Sequence, residues 1–144
     1  MKLVLILNML VTFYMTGIIW FVQIVHYPLF GKVGEACYRD YHTHHARLTG
    51  WVVAVPMLLE LGTAGLLAAN PPIGISSIQA VIGLVLVILL WVSTAFVQVP
   101  RHGILGNGYD ADAHRTLVIS NWFRTILWTL RSCLVCFMLW QLLP

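Results

Sequence analysis

The sequence predicts an all-α membrane protein, a bundle of four transmembrane helices built from two parallel helix–loop–helix repeats. Composition, the placement of charges and an internal repeat lead to this prediction. The chain has 144 residues, of which 60% are hydrophobic and 9% charged, whereas soluble domains are about 45–50% apolar and about 25% charged. So few polar residues could not cover the surface of a soluble domain. A cytosolic enzyme, a disordered tail and a secreted disulfide scaffold are therefore excluded.

The charges divide the chain into four apolar runs. Nine of the thirteen charged residues lie in two short stretches, 32–47 and 101–115. Each apolar run supplies the roughly 20 residues that a spanning helix needs, and the runs are too long and continuous for barrel strands. We therefore predict one four-helix transmembrane domain over residues 1–144, with spans at about 3–27, 48–69, 77–100 and 116–142.

The first run is predicted to be a retained span rather than a signal peptide. It follows Lys2 and stays apolar past Trp20 to Val25, with no small-residue cleavage site after a short core. The second and third spans are joined by a tight, uncharged connection that contains Pro71 and Pro72.

Lysine and arginine residues predict the orientation. Five of them border one membrane face and Lys2 alone borders the other; the five are Lys32, Arg39, Arg47, Arg101 and Arg115. The positive-inside rule then places both charged loops in the cytoplasm of a multi-pass inner (cell) membrane protein, with both termini extracytoplasmic. The net charge of +3 follows from this asymmetry. Since the sequence contains no motif that recognises nucleic acid, we expect no nucleic-acid partner.

An internal repeat relates the two halves. Residues 21–23 (Phe-Val-Gln) recur as residues 96–98, 75 positions later, and a proline follows each copy, at Pro28 and Pro100. Trp51 near the start of the second span is matched by Trp122, 71 positions later. Two spans restore the starting orientation, so the repeats are parallel and related by an axis along the membrane normal. The alternative is chance similarity between apolar helices.

All six histidines lie at the predicted cytoplasmic ends of helices, where a bundle brings its helices together. Imidazole suits iron, copper and zinc, and four-helix bundles build such sites from inward-facing residues. The candidate metal ligands are His26, His42, His45, His102 and His114. The alternative is that histidine, like other amphipathic residues, simply tolerates the membrane interface.

Sequence spacing refines the histidine prediction without naming the metal. The His42 and His45 side chains share a face if the second helix extends back into the loop, whereas His44 is expected to point away. Asp110 and Asp112 are candidate oxygen ligands. Because no zinc fingerprint is present, the cofactor is predicted only as a metal ion (Fe, Cu or Zn) or haem.

Charges inside the spans form a second group. Glu60 and Arg131 lie at similar depth, and an unpaired charge there costs at least about 2.5–3.5 kcal/mol, so we predict an ion pair. Arg124 continues the same face toward the histidines. The candidate catalytic residues are Arg124, Gln23 and Gln98, and the candidate cofactor-binding residues are Asn121 and Trp128. The alternative is a polar staple that fixes the bundle without chemistry.

The run Asn-Trp-Phe-Arg-Thr at residues 121–125, with Trp128, resembles the last helix of the anthrone-oxygenase-like family of small four-helix membrane proteins. Residues 20–30 are similar to the first helix of related bacterial proteins. The resemblance implies oxygenase-type chemistry on a lipophilic aromatic compound. A fainter likeness connects the chain to small membrane haem proteins that oxidise porphyrinogens.

These observations favour a membrane-bound, metal- or haem-dependent oxidoreductase that acts on a lipophilic substrate in a polar pocket at the cytoplasmic side. Two other classes stay open. One is a small transport module that binds protons or a ligand, and the other is an accessory or assembly subunit without catalysis. The expected partners are the lipid bilayer and a lipophilic small molecule, and formation of a homo-oligomer is left open.

Overall fold

The computed structural model describes residues 1–143. This part of the chain forms four long helices and contains no β-strand. Each helix is long and apolar enough to cross a membrane, so the predicted fold class is confirmed. The helices are α1 (Lys2–Phe30), α2 (Glu35–Ala69), α3 (Ser77–Leu105) and α4 (Ala111–Trp140).

Helices α2 and α4 begin earlier than predicted. Helix α2 begins at Glu35 rather than near residue 48, because its charged first turns also have an apolar side that buries Tyr38. Helix α4 begins at Ala111, and the Asp110 carboxylate caps it by accepting a hydrogen bond from Ala113 N at 2.7 Å. The polar segments that predict loops are therefore mostly helix.

The helices form an antiparallel ring. Helix α1 packs against α2 and α4, and α3 packs against the same two helices. Large apolar side chains cover the outer surface, among them Phe13, Leu58, Phe96 and Phe123. Such a surface is compatible with contact to lipid along the whole length of the bundle.

The structure repeats as the sequence predicts. Helices α1 and α3 are each 29 residues long and start 75 positions apart, at residues 2 and 77. Buried residues recur at this offset, and in α2 and α4 they recur at an offset of 71; the pairs include Met15 and Leu90, Gln23 and Gln98, Glu60 and Arg131, and Leu67 and Met138. Equivalent faces of the two parallel halves thus meet in one core.

Each repeat contains a π-helical turn near the histidine end of the bundle, at Val22–His26 and Thr94–Gln98. A proline, Pro28 or Pro100, follows each turn by two residues. Proline lacks the N–H group and its ring clashes with the carbonyl four residues back, which disfavours a regular α-helical bond there. The wider turn relieves this clash, and it displaces the two glutamines relative to a straight helix.

The Glu60 carboxylate and the Arg131 guanidinium meet at the centre of the bundle. Arg131 Nε donates to Glu60 Oε1 at 2.8 Å, and both side chains are 1% exposed. Arg131 also donates to Asn8 Oδ1 at 2.9 Å and to the carbonyl of Gly83. The predicted ion pair is therefore present, and Arg131 alone connects all four helices.

The Glu60 carboxylate is equally well satisfied. Thr12 Oγ1 donates to Oε1 at 2.9 Å, and Trp128 Nε1 donates to Oε2 at 3.0 Å. A buried charge pair whose remaining polar atoms are hydrogen-bonded holds a bundle in register. This arrangement agrees with the polar-staple interpretation of Glu60 and Arg131.

Candidate functional site

Four imidazoles from three helices meet at one end of the bundle. Two pairs lie at hydrogen-bond distance: His26 Nε2 is 2.8 Å from His45 Nδ1, and His42 Nε2 is 3.1 Å from His102 Nδ1. The pairs are adjacent, since the ring centroids of His45 and His102 are 5.6 Å apart. His42 and His45 reach the site because α2 extends back to Glu35 and places both on its buried face.

Aromatic residues hold this histidine cluster (His26, His42, His45 and His102). The Phe30 ring lies edge-on to all four imidazoles, with centroid distances of 4.9–6.4 Å. The Tyr27 hydroxyl is 3.0 Å from His102 Nε2. Phe30 and Tyr27 were not predicted as site residues, although both lie in the His-Tyr-Pro-Leu-Phe motif at residues 26–30.

His114, the fifth predicted ligand, does not join the cluster. Its Nε2 is 2.8 Å from the Tyr27 carbonyl oxygen and its Nδ1 is 3.2 Å from the Tyr109 hydroxyl. Nε2 therefore fastens α4 to the end of α1, and Nδ1 is used by the segment that precedes α4. His114 packs beside Phe30, with a centroid distance of 6.2 Å.

The other predicted oxygen and nitrogen donors lie outside the cluster. The Asp110 carboxylate caps α4, so it is not directed at the imidazoles, and Asp112 is exposed. His44 points away from the His42–His45 face, as predicted, and its Nδ1 lies 3.3 Å from the exposed Asp40 carboxylate.

A metal ion would require at least three side-chain ligands arranged around one point. Within residues 1–143, no group of three or more His, Cys, Asp or Glu side chains is arranged to hold a metal ion. The imidazole nitrogens face one another in pairs at 2.8 and 3.1 Å, whereas two nitrogens on a tetrahedral zinc at about 2.0–2.1 Å would be about 3.3 Å apart. As folded, the cluster is a hydrogen-bond network and does not present a three-ligand site.

Arg124 lies below the histidine cluster and is connected to α1. Its NH1 donates to Asn121 Oδ1 at 3.1 Å, and Asn121 Nδ2 donates to Gln23 Oε1 at 2.9 Å. The guanidinium carbon lies 5.1 Å from the centroid of the Trp128 ring, a cation–π contact. Gln23 therefore reaches Arg124 through Asn121, and Trp128 links Arg124 to the Glu60 carboxylate.

A cavity of about 310 Å³ separates the cluster from the core of the bundle. Its walls are mostly apolar. Its polar side chains are those of Tyr27, His45, Thr49, Thr94, Gln98, His102 and Arg124. Gln98 thus shares a cavity with Arg124, although its Nε2 donates to Ser120 Oγ at 3.0 Å rather than meeting Arg124. Apolar walls with a few convergent polar groups are typical of small-molecule sites.

A second, open groove of about 580 Å³ lies at the end of the bundle. Its lining includes Cys37, Asp40 and His44, together with His26 and His45. His45 and Thr49 line both the groove and the cavity, and His45 Nδ1 is 3.0 Å from Thr49 Oγ1. The histidine cluster therefore stands between the cavity and the outside of the bundle.

Comparisons of the chain with family models, with curated proteins and with solved structures find no match. The anthrone-oxygenase-like resemblance therefore stays a prediction that depends on residues 121–125, Trp128 and residues 20–30.

Proposed function

We propose that this membrane protein binds a lipophilic small molecule in the cavity beside the histidine cluster and exchanges protons with it. The observation that supports the proposal is the cavity itself. It is about 310 Å³ of mostly apolar space, and Arg124, Tyr27 and two imidazoles are among its polar groups. The volume lies at the lower end of the roughly 300–1,000 Å³ usual for ligand sites. An apolar body would occupy the space between the helices, and its polar end would meet the imidazoles.

The cavity has an opening that suits a ligand dissolved in the bilayer. Ala46 and Gly50 on α2 and Val99 on α3 line the cavity, and all three are exposed on the surface of the bundle. The opening therefore lies between α2 and α3, on the apolar flank of the protein. A lipophilic molecule can enter there without crossing the charged end of the bundle.

The hydrogen bonds of the cluster suit proton movement. One chain runs from Tyr27 through His102 to His42, with distances of 3.0 and 3.1 Å. A second connects His45, on the cavity wall, to His26, on the wall of the outer groove, at 2.8 Å. Imidazole can both donate and accept a proton. With the orientation that the charges predict, the His45–His26 pair would exchange protons with the cytoplasm, whereas the first chain ends at the buried His42.

The second candidate function is a metal- or haem-dependent oxidoreductase, in agreement with the resemblance to the anthrone-oxygenase-like family. Its supporting observation is that four imidazoles converge beside the cavity, with neighbouring ring centroids 4.5–6.0 Å apart. A metal would have to replace the hydrogen bonds within the two imidazole pairs. Metal analysis and an absorption spectrum of the protein in mild detergent test it. A metal or haem signal should disappear in His45→Ala and His102→Ala and persist in His44→Ala. No signal in the parent protein would contradict this candidate.

Blocking the opening tests the principal proposal. Outside the adjoining helical backbone, no heavy atom of residues 1–143 lies within 4 Å of a Cβ placed at Gly50 or at Gly62. Gly50→Phe should therefore fold and obstruct the cavity, whereas Gly62→Phe adds the same ring to the same helix at an exposed position outside the cavity lining.

The measurement is mass spectrometry of small molecules extracted from the purified protein. We expect a lipophilic compound that is enriched over empty nanodiscs in the parent and in Gly62→Phe, and depleted in Gly50→Phe. Equal amounts in both variants would show that the compound binds elsewhere. A parent protein with no enriched compound would favour an accessory or assembly role.

A further inference from the structure

We infer that the ligand of this cavity is a lipophilic hydroxy acid, with its ionised acidic oxygen at Arg124 and its hydroxyl group at Gln98. The inference rests on the proposed function and names its substrate class. The observations that lead to it are a buried cation without a counter-charge among residues 1–143 and a buried carbonyl oxygen without a donor there. They belong to Arg124 and Gln98, two residues that line the same cavity.

Arg124 is a buried cation that no acidic residue of positions 1–143 neutralises. Its side chain is 7% exposed, and its Nε has no hydrogen-bond partner among the described residues. The chain contains five acidic residues. Glu60 is paired with Arg131, and the other four are exposed, namely Glu35, Asp40, Asp110 and Asp112.

Arg131 differs from Arg124 in having a counter-charge. Both arginines belong to α4, and every nitrogen of the Arg131 guanidinium has a partner, with Glu60 supplying the negative charge. Arg124 faces the Asn121 amide oxygen, the Trp128 ring and the nearby Tyr27 hydroxyl, and none of these groups is a carboxylate. Because an isolated buried charge is costly in a membrane, a ligand with a negatively charged oxygen would stabilise Arg124.

Arg124 requires a hydrogen-bond acceptor from the ligand, whereas Gln98 requires a donor. Its side chain is 2% exposed, and its Oε1 has no hydrogen-bond partner in the part of the chain described. The Ser120 hydroxyl donates its proton to the Leu117 carbonyl at 3.3 Å, so it accepts a hydrogen bond from Gln98 Nε2. With the amide in this orientation Oε1 is the free acceptor, and a ligand hydroxyl group would satisfy it once the Gln98 side chain turns toward the cavity.

The size of the cavity limits the body of the ligand. About 310 Å³ suits one short chain or a small ring system, whereas a two-chain phospholipid is much larger. Amines are excluded as head groups because a cation would meet Arg124. Neutral esters and alcohols would leave the positive charge of Arg124 without a counter-charge.

The test measures equilibrium binding of tritiated 2-hydroxydecanoate to the purified chain in nanodiscs, with 3-hydroxy-2-naphthoate as a planar competitor. Decanoate lacks the hydroxyl group, and 1,2-decanediol lacks the charge. We expect 2-hydroxydecanoate to bind more tightly than decanoate and at least about tenfold more tightly than the diol, the effect of one charge-assisted hydrogen bond. Whichever acid binds more tightly, the flexible 2-hydroxydecanoate or the planar 3-hydroxy-2-naphthoate, indicates the shape of the ligand body.

Variants assign the two contacts. Arg124→Gln should weaken binding of 2-hydroxydecanoate about tenfold or more and leave binding of the diol unchanged. Gln98→Leu should abolish the preference for 2-hydroxydecanoate over decanoate. Arg115→Gln removes the same charge from an exposed position of the same helix and serves as the matched control. Gln98→Leu also tests the site independently if Arg124→Gln does not fold.

The outcomes separate this inference from the proposed function. If the acid and the diol bind equally, or if Arg124→Gln binds the acid as the parent does, the inference is overturned while the cavity keeps its proposed function. If no probe binds saturably and no compound co-purifies with the parent, both are overturned. Charge-dependent binding that is lost in Arg124→Gln and kept in Arg115→Gln supports the inference.

Discussion

Two buried arginines on α4 show how the surroundings of a residue decide its role. Arg131 and Arg124 are seven residues apart, about two turns, so they lie on the same side of the helix. Arg131 meets the Glu60 carboxylate and holds the helices together. Arg124 lines a cavity and lacks a carboxylate partner among the described residues. The first arrangement is suited to stability and the second to binding.

The first prediction concerns the Glu60–Arg131 pair. Arg131→Met and Glu60→Met should each reduce the free energy of unfolding by about 3–5 kcal/mol, because each leaves one buried charge unpaired. The double variant should be more stable than either single variant. It should remain below the parent, because Asn8 and Trp128 lose partners. Chemical denaturation of the protein in mild detergent measures all four free energies.

A double variant no more stable than the worse single variant would contradict the pairing. Arg124→Gln is the comparison within the same helix. We expect its free energy of unfolding to equal or exceed that of the parent when no ligand is bound, since it removes a buried charge that lacks a counter-charge.

At the scale of the elements, the two π turns position the site. Tyr27 N–H donates to the Val22 carbonyl and Val99 N–H donates to the Thr94 carbonyl, in each case five residues back. Each turn thus contains one residue more than a regular α-helical turn, and the residues beyond it are rotated by about 100° relative to a straight helix. In α3 this rotation separates Gln98, within the turn, from His102 beyond it, and both line the cavity.

The second prediction is that Pro100→Ala converts the turn in α3 into regular α-helix. The new N–H group at position 100 can donate to the Phe96 carbonyl, which removes the reason for the wider turn. Positions 98 and 102 would then share one face of a regular helix, and the His102 ring would shift relative to the cavity. We expect stronger protection of amide hydrogens over residues 94–102 and about tenfold weaker binding of 2-hydroxydecanoate, the effect of roughly one lost hydrogen bond.

Pro56→Ala provides the matched control, because Pro56 lies inside α2 in regular helix. This variant should leave ligand binding and exchange over residues 94–102 unchanged. Unchanged exchange in Pro100→Ala would show that the proline does not cause the π turn.

At the scale of the whole molecule, the histidine cluster and most of the charges share one end. The end of α1, the start of α2, the end of α3 and the start of α4 contribute five lysines and arginines there, and Lys2 stands at the opposite end. This asymmetry predicts that the cluster end faces the cytoplasm. It would also place the proposed ligand site close to cytoplasmic water through the outer groove.

The third prediction tests this orientation. A reporter that is active only in the cytoplasm should be inactive when fused after Pro144 and active when inserted at Asn107, in the loop between α3 and α4. Strong activity of the fusion at Pro144 together with none at Asn107 would reverse the orientation. The proposed binding site would then face the extracytoplasmic side.

The helices, the repeat and the pairing of Glu60 with Arg131 could be predicted from the sequence because they follow from local or periodic properties. Continuous apolar runs require helices in a bilayer, and equal depth with opposite charge predicts a buried pair. The candidates His26, His42, His45 and His102 were found for the same reason, since the ends of the helices must converge in a bundle.

The tertiary structure decided the features that depend on exact rotation and distance. It joined four histidines and directed His114 to the Tyr27 carbonyl, used Asp110 as a helix cap, and connected Gln23 to Arg124 through Asn121. It also left a cavity beside Arg124. Periodicity specifies the face of a helix but not the extra residue in a π turn. The gap between non-adjacent side chains arises only when all four helices pack together.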